Sequence, residues 1–188
     1  MDIEKFNKIT TPELLLDFMS KNIEYGYIGQ SGKVYNYNDK DFQKNWFNDY
    51  FLQKGDSVLI TKIGTCWDQV ELERMWFKSH NYKFYTLFEM VLLDYSNNYP
   101  THSFLVYQSN NNNWCWFENA DYANRGIHRF LTLSELLNFQ NQKYKESLIK
   151  LNIKNDELKK IILTNYNEPY NISKAAEYLD FVIDSKKV

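Results

Sequence analysis

Read for the spacing of apolar and polar positions, the chain opens with a helical period. Leu14, Leu15, Phe18 and Met19 recur at i, i+1, i+4 and i+5 behind Thr11 and Pro12. Thr11 suits an N-cap, because its hydroxyl can accept a free N–H of the first turn, and Pro12 suits the first helical position, where its missing N–H is no loss. The glycine- and tyrosine-rich stretch Tyr25 to Tyr37 reads as a loop carrying one short strand. Helical spacing returns at Phe42, Trp46, Phe47 and Tyr50 within Asp41–Phe51, and Lys54-Gly55-Asp56 reads as the turn that ends it.

The period then shortens. Tyr82–Tyr95, Ser103–Gln108 and Trp114–Glu118 are apolar, aromatic or alternating, which predicts strands. Turn-rich pieces, Ser96–Pro100 and Ser109–Asn113, separate them, the second as a hairpin connection. After Arg129-Phe130 the pattern predicts helices to the end: Thr132–Asn152, where Thr132 or Ser134 can cap, then Asn155–Asn165 and Ile172–Ser185. Helices, a central helix, antiparallel strands and further helices make an α+β class.

Bulk properties narrow the picture. The 188 residues fit one domain with a substantial core, and 44% hydrophobic with 18% aromatic content excludes a disordered chain. With 22 basic against 24 acidic residues the net charge is −2, which predicts no nucleic acid and no membrane surface among the partners. The first twenty residues lack the long apolar run of a signal peptide. The longest apolar stretch, Tyr85–Leu93, is broken by charge and falls short of the ~20 residues that span a bilayer. Two cysteines do not make a disulfide framework, so a reducing, cytoplasmic setting is expected.

The stretch Ile63–Arg74, IGTCWDQVELER, is the most informative about chemistry. Gly64 permits a tight turn, and Thr65 with Asp68 three residues on resembles a capping box, so a helix should start here with Cys66 in its first turn. The partial positive charge of the free N–H groups there favours the thiolate, the nucleophilic form, although Asp68 opposes it. His102 opens a strand-like run and is the candidate cationic partner. Trp114–Glu118 pairs with that strand across the Asn turn and brings Glu118 near His102, where a carboxylate can orient the imidazole.

Gly64-Thr65-Cys66-Trp67 leading into a helix resembles the nucleophile segment of the transglutaminase-like superfamily, which shares the papain-like cysteine protease fold. The family's His opens a following strand, as His102 does, and its acid lies four residues after a Trp, as Glu118 follows Trp114. The likeness covers roughly residues 40–130, within a single domain whose residues from about 132 to 188 form a helical extension. It departs from the pattern in carrying Glu where the family usually has Asp, so Asn119 or Asp121 can also fill the third role. The resemblance, closest to small bacterial-type relatives, implies cysteine-dependent acyl transfer on amide bonds: a peptidase or amidase, or a transglutaminase-like acyltransferase, acting on a protein or peptide. The alternative is a catalytically inactive binding module that keeps the fold.

Other residues invite plainer readings. Cys115 between Trp114 and Trp116 reads as core, His80 as the end of a helix, and His128 as structural or at the cleft rim. No CxxC or HxxxH pair offers zinc spacing, so neither metal nor cofactor is expected. The tyrosine and tryptophan clusters read as core or cleft wall, and Lys143–Lys160 as a solvated face.

Overall fold

The computed structural model describes residues 2–42, 44, 46–93, 100–150, 153 and 158–188. Among them are seven helices and two sheets, a mixed α+β architecture. Helix α1 (Asp2–Phe6) leads into α2 (Pro12–Asn22), which starts as its sequence predicts: Thr11 is extended and its side chain accepts the Leu14 N–H.

The smaller sheet has the order β2-β1-β3. Strands β1 (Glu24–Ile28) and β2 (Val34–Asn36) form an antiparallel hairpin, and the two residues of β3 (Ile63–Gly64) lie parallel to β1. The stretch expected to be a loop is therefore mostly sheet. Tyr27 and Tyr35 are register partners whose rings stack 4.6 Å apart, a cross-strand pair that outweighs the local preference of the glycines. Gly32, at φ 82, makes the turn between them.

Two further expectations are corrected here. Within Asp41–Phe51 only α3 (Trp46–Asp49) is helical, and Gln43 and Asn45 lie outside the described residues. Its aromatic residues bury themselves by ring contacts rather than along one helical face: Phe42 against Tyr27, Trp46 and Tyr50 against Trp67. Lys54-Gly55-Asp56 does not end a helix but begins one, α4 (Gly55–Thr61), with Lys54 as its extended cap. A Cβ at Gly55 would stand 2.7 Å from the Glu71 carbonyl, so glycine lets this start pack onto the next helix.

That next helix is α5 (Cys66–Ser79). It lies against the larger antiparallel sheet, whose order is β7-β6-β5-β4-β8-β9. The strands are β4 (Phe84–Leu93), β5 (Thr101–Gln108), β6 (Trp114–Glu118), β7 (Gly126–Phe130), β8 (Leu158–Asn165) and β9 (Lys186–Lys187). The predicted strands are all present, and the Asn-rich piece joins β5 to β6 as an antiparallel hairpin. The parts of Tyr82–Tyr95 and Ser96–Pro100 that span 94–99 lie outside the described residues.

Helices cover both faces of this sheet. On one, Phe77 of α5 packs against Tyr107 and Phe117, and α7 (Ala175–Ile183) sets Tyr178 against Trp67 and hydrogen-bonds Ser103. On the other, α6 (Leu133–Lys150) buries Leu136 among Leu87, Phe104, Val106 and Trp116. Thr132 caps α6, accepting the Glu135 N–H at 3.2 Å, while the Glu135 carboxylate reaches back to the Thr132 N–H; Ser134 does not cap it.

The C-terminal third is not the all-helical extension its pattern suggests. Of Asn155–Asn165, residues 155–157 lie outside the described set and the rest is strand β8, inserted between β4 and β9. Leu158, Ile161, Ile162 and Leu163 fit a helical spacing as well as a buried strand. The open edge of β4, whose N–H and C=O groups need partners, decides for the strand. No helix among the described residues is long and apolar enough to cross a membrane.

Candidate active site

The start of α5 is held by one buried carboxylate. Asp68 accepts hydrogen bonds from the Thr65 N–H at 2.8 Å, the Thr65 hydroxyl at 3.0 Å, the Tyr50 hydroxyl at 2.7 Å and the Gln53 N–H at 2.8 Å. Burial lifts its pKa to about 6, against the pull of these donors. Gly64 is needed beneath it, since a Cβ there would meet the Asp68 Cβ at 2.8 Å. The box thus fixes the turn that presents Cys66, and the Asp68 charge is spent on the cap.

Cys66 is 5% exposed and His102 13% at its side chain. By strand parity His102 shares the α6 face with Phe104 and Val106, whereas α5 lies on the opposite face. The two residues nonetheless meet near the start of β5, where both line one cavity of about 390 Å³. His102 Nε2 lies 2.8 Å from Glu118 Oε2. With that nitrogen engaged, Nδ1 is the one left to face the thiol. Burial works against the charged imidazole, but the Glu118 carboxylate, then the hydrogen bond to the Cys66 sulfur, override it and raise the His102 pKa well above its ordinary value.

Glu118 is itself held, its second oxygen accepting the Asp121 N–H at 2.8 Å. The other two candidates for the third role point elsewhere. Asn119 Nδ2 donates to Gln69 Oε1 at 2.7 Å, and its side-chain Oδ1 is buried without a partner among the described residues. Asp121 accepts from the Ala123 N–H and the Asn124 amide, tying its own loop. Of the remaining candidates, Cys115 faces Tyr107 in the core, His80 ends α5 stacked on Trp76, and His128 stacks on Trp116 while bonding the Asn124 carbonyl.

Several site residues escaped the sequence reading. Glu89 is the cross-strand partner of His102, is buried, and takes a hydrogen bond from Gln140 of α6. Burial raises its pKa to about 8, offset by the His102 charge. Glu73, two turns along α5, is also buried, and desolvation with the Glu118 charge lifts its pKa well above the carboxylate range. A charge inside the apolar run of β4 was a usable signal for Glu89. Nothing local marks Glu73, because α5 buries Asp68, Gln69, Glu71, Glu73 and Arg74 alike. Tyr144 of α6 covers the imidazole, with ring centroids 6.4 Å apart, and donates its hydroxyl to the Pro100 carbonyl. No protein-family model matches the chain, and no curated protein matches it in sequence.

Proposed function

We propose that this is a cysteine-dependent acyl-transfer enzyme acting on amide bonds, with a transglutaminase-like site on a papain-like core. The observation that carries the reading is the convergence of Cys66 and His102 on one cavity, with the buried Glu118 carboxylate 2.8 Å from the imidazole behind it. In this scheme Sγ, its proton passed to His102, attacks the carbonyl carbon, and the carbonyl electron pair moves onto oxygen. As that pair returns, the C–N bond breaks, the imidazolium gives its proton to the leaving nitrogen, and a thioester remains. Water resolves the thioester in a hydrolase, an amine in a transamidase; His102 takes the proton in either case. Glu118 orients the ring and stabilises its charged form.

The low exposure of Cys66 favours a second reading, a binding module that has kept the constellation without turnover. Iodoacetamide labelling from pH 5 to 9 separates the two. The enzyme reading expects Cys66 to be alkylated rapidly near neutral pH, and expects the signal to vanish in Cys66→Ala. Labelling that stays slow until pH passes ~8.5, where a free thiol ionises, would defeat it. The two free cysteines suit a reducing, cytoplasmic setting.

A further inference from the structure

We infer that the Tyr25 hydroxyl is the side-chain donor to the oxyanion formed when Cys66 adds to a carbonyl, a role that rests on the acyl-transfer reading above. Tyr25 comes from the other sheet, far from Cys66 in sequence, yet its placement is built in. Its Cα is the register partner of Gly64 across the β1–β3 pair, two residues before the nucleophile. Its ring is flanked by Tyr37 at 5.7 Å and Phe42 at 6.3 Å, and its N–H is bonded to the Tyr122 hydroxyl at 3.2 Å. The phenol therefore lines the cavity with its hydroxyl 4.0 Å from Sγ.

Four neighbouring side-chain donors already have partners, whereas the Trp116 indole N–H, which also borders the cavity, has none among the described residues. Gln69 Nε2 is given to the Gly64 carbonyl, Asn119 Nδ2 to Gln69, Gln140 Nε2 to Glu89, and the Tyr144 hydroxyl to the Pro100 carbonyl. Tyr25 instead points its O–H toward the sulfur, beside which the carbonyl oxygen comes to lie when Sγ bonds to the carbonyl carbon. A donor 4.0 Å from Sγ leaves room for that oxygen at the ~2.7–3.1 Å expected of an oxyanion hole. Burial, and then the charge on Cys66, raise the Tyr25 pKa well above that of a free phenol, so the proton stays on the phenol and is shared, not transferred. When the tetrahedral species collapses the carbonyl reforms, the C–N bond breaks, and the leaving nitrogen takes its proton from His102.

Two reagents isolate this role, because alkylation by iodoacetamide builds no oxyanion whereas acylation by p-nitrophenyl acetate does. Tyr25→Phe keeps the ring and its packing, which an unchanged thermal melt verifies. The expected result is a fall of about 100-fold in thioester formation at Cys66, read by mass spectrometry and by the p-nitrophenolate burst with Cys66→Ala as background, while alkylation stays within about twofold of wild type. Acylation of Tyr25→Phe at the wild-type rate overturns the inference alone. Equal losses in both reactions also overturn it, since the phenol would then act on the sulfur. A wild-type chain that neither acylates nor alkylates at Cys66 sinks the inference together with the acyl-transfer reading.

Discussion

Replacing Glu118 by Gln removes one charge from the centre of the site and little else. The Gln amide oxygen can still accept the Asp121 N–H that Glu118 holds, so the loop after β6 keeps its anchor. What is lost is the charge-assisted bond to His102, 2.8 Å long, between a side chain 2% exposed and one 13% exposed. Such bonds contribute about 1.5–3 kcal/mol, which corresponds to an imidazolium-to-imidazole ratio lower by about tenfold to about a hundredfold at a given pH. The sign follows from linkage. Because the folded pKa of His102 is raised, the pair's stabilisation is fully present below the unfolded value of ~6.5 and is lost as pH rises through the higher folded value. The variant should therefore show a His102 titration, followed by NMR of the imidazole, displaced to lower pH. Cys66 alkylation near neutral pH should slow by about tenfold or more. The stability gap to wild type in urea should be widest at pH 6 and close progressively in alkaline solution. A His102 titration that does not move in a folded variant would refute the assignment of Glu118 as the group that holds the imidazole charged.

Two more outcomes follow from buried groups. Glu89 keeps its proton in the fold up to about pH 8, whereas the unfolded chain ionises it near ~4.3, so stability falls as pH rises between those values. Glu89→Gln should stabilise the protein by about 4 kcal/mol at pH 7.5 and hardly at all at pH 4; equal shifts in melts at both pH values would contradict it. Truncation after Phe130 removes β8 from the edge of β4, Leu136 from one face of the sheet and Tyr178 from the other. The shortened chain should lose its cooperative thermal transition, and a retained sharp melt by circular dichroism would show that the core closes without the C-terminal third.

Local chemistry made part of this protein readable in advance. The caps of α2 and α5, the hairpin across the Asn turn, and the strands that carry His102 and Glu118 depend on neighbours within a few residues, where side-chain preference and hydrogen-bond geometry act directly. The order Cys66, His102, Glu118 could likewise be picked out, since capping and strand register already limit where those side chains point. Tertiary structure alone decided the rest. The spacing of Leu158 to Leu163 serves helix and strand equally, and the unfilled edge of β4 made the choice. Tyr25 to Tyr37 became a hairpin because Tyr27 and Tyr35 could stack across it. Tyr25 and Glu89 joined the site only when β1 met β3 and β4 met β5, contacts between distant segments; the charge within the apolar run of β4 marks Glu89 as unusual but does not say what it meets. Periodicity records which residues avoid water; which surfaces they meet when they do so is settled by the whole chain packing at once.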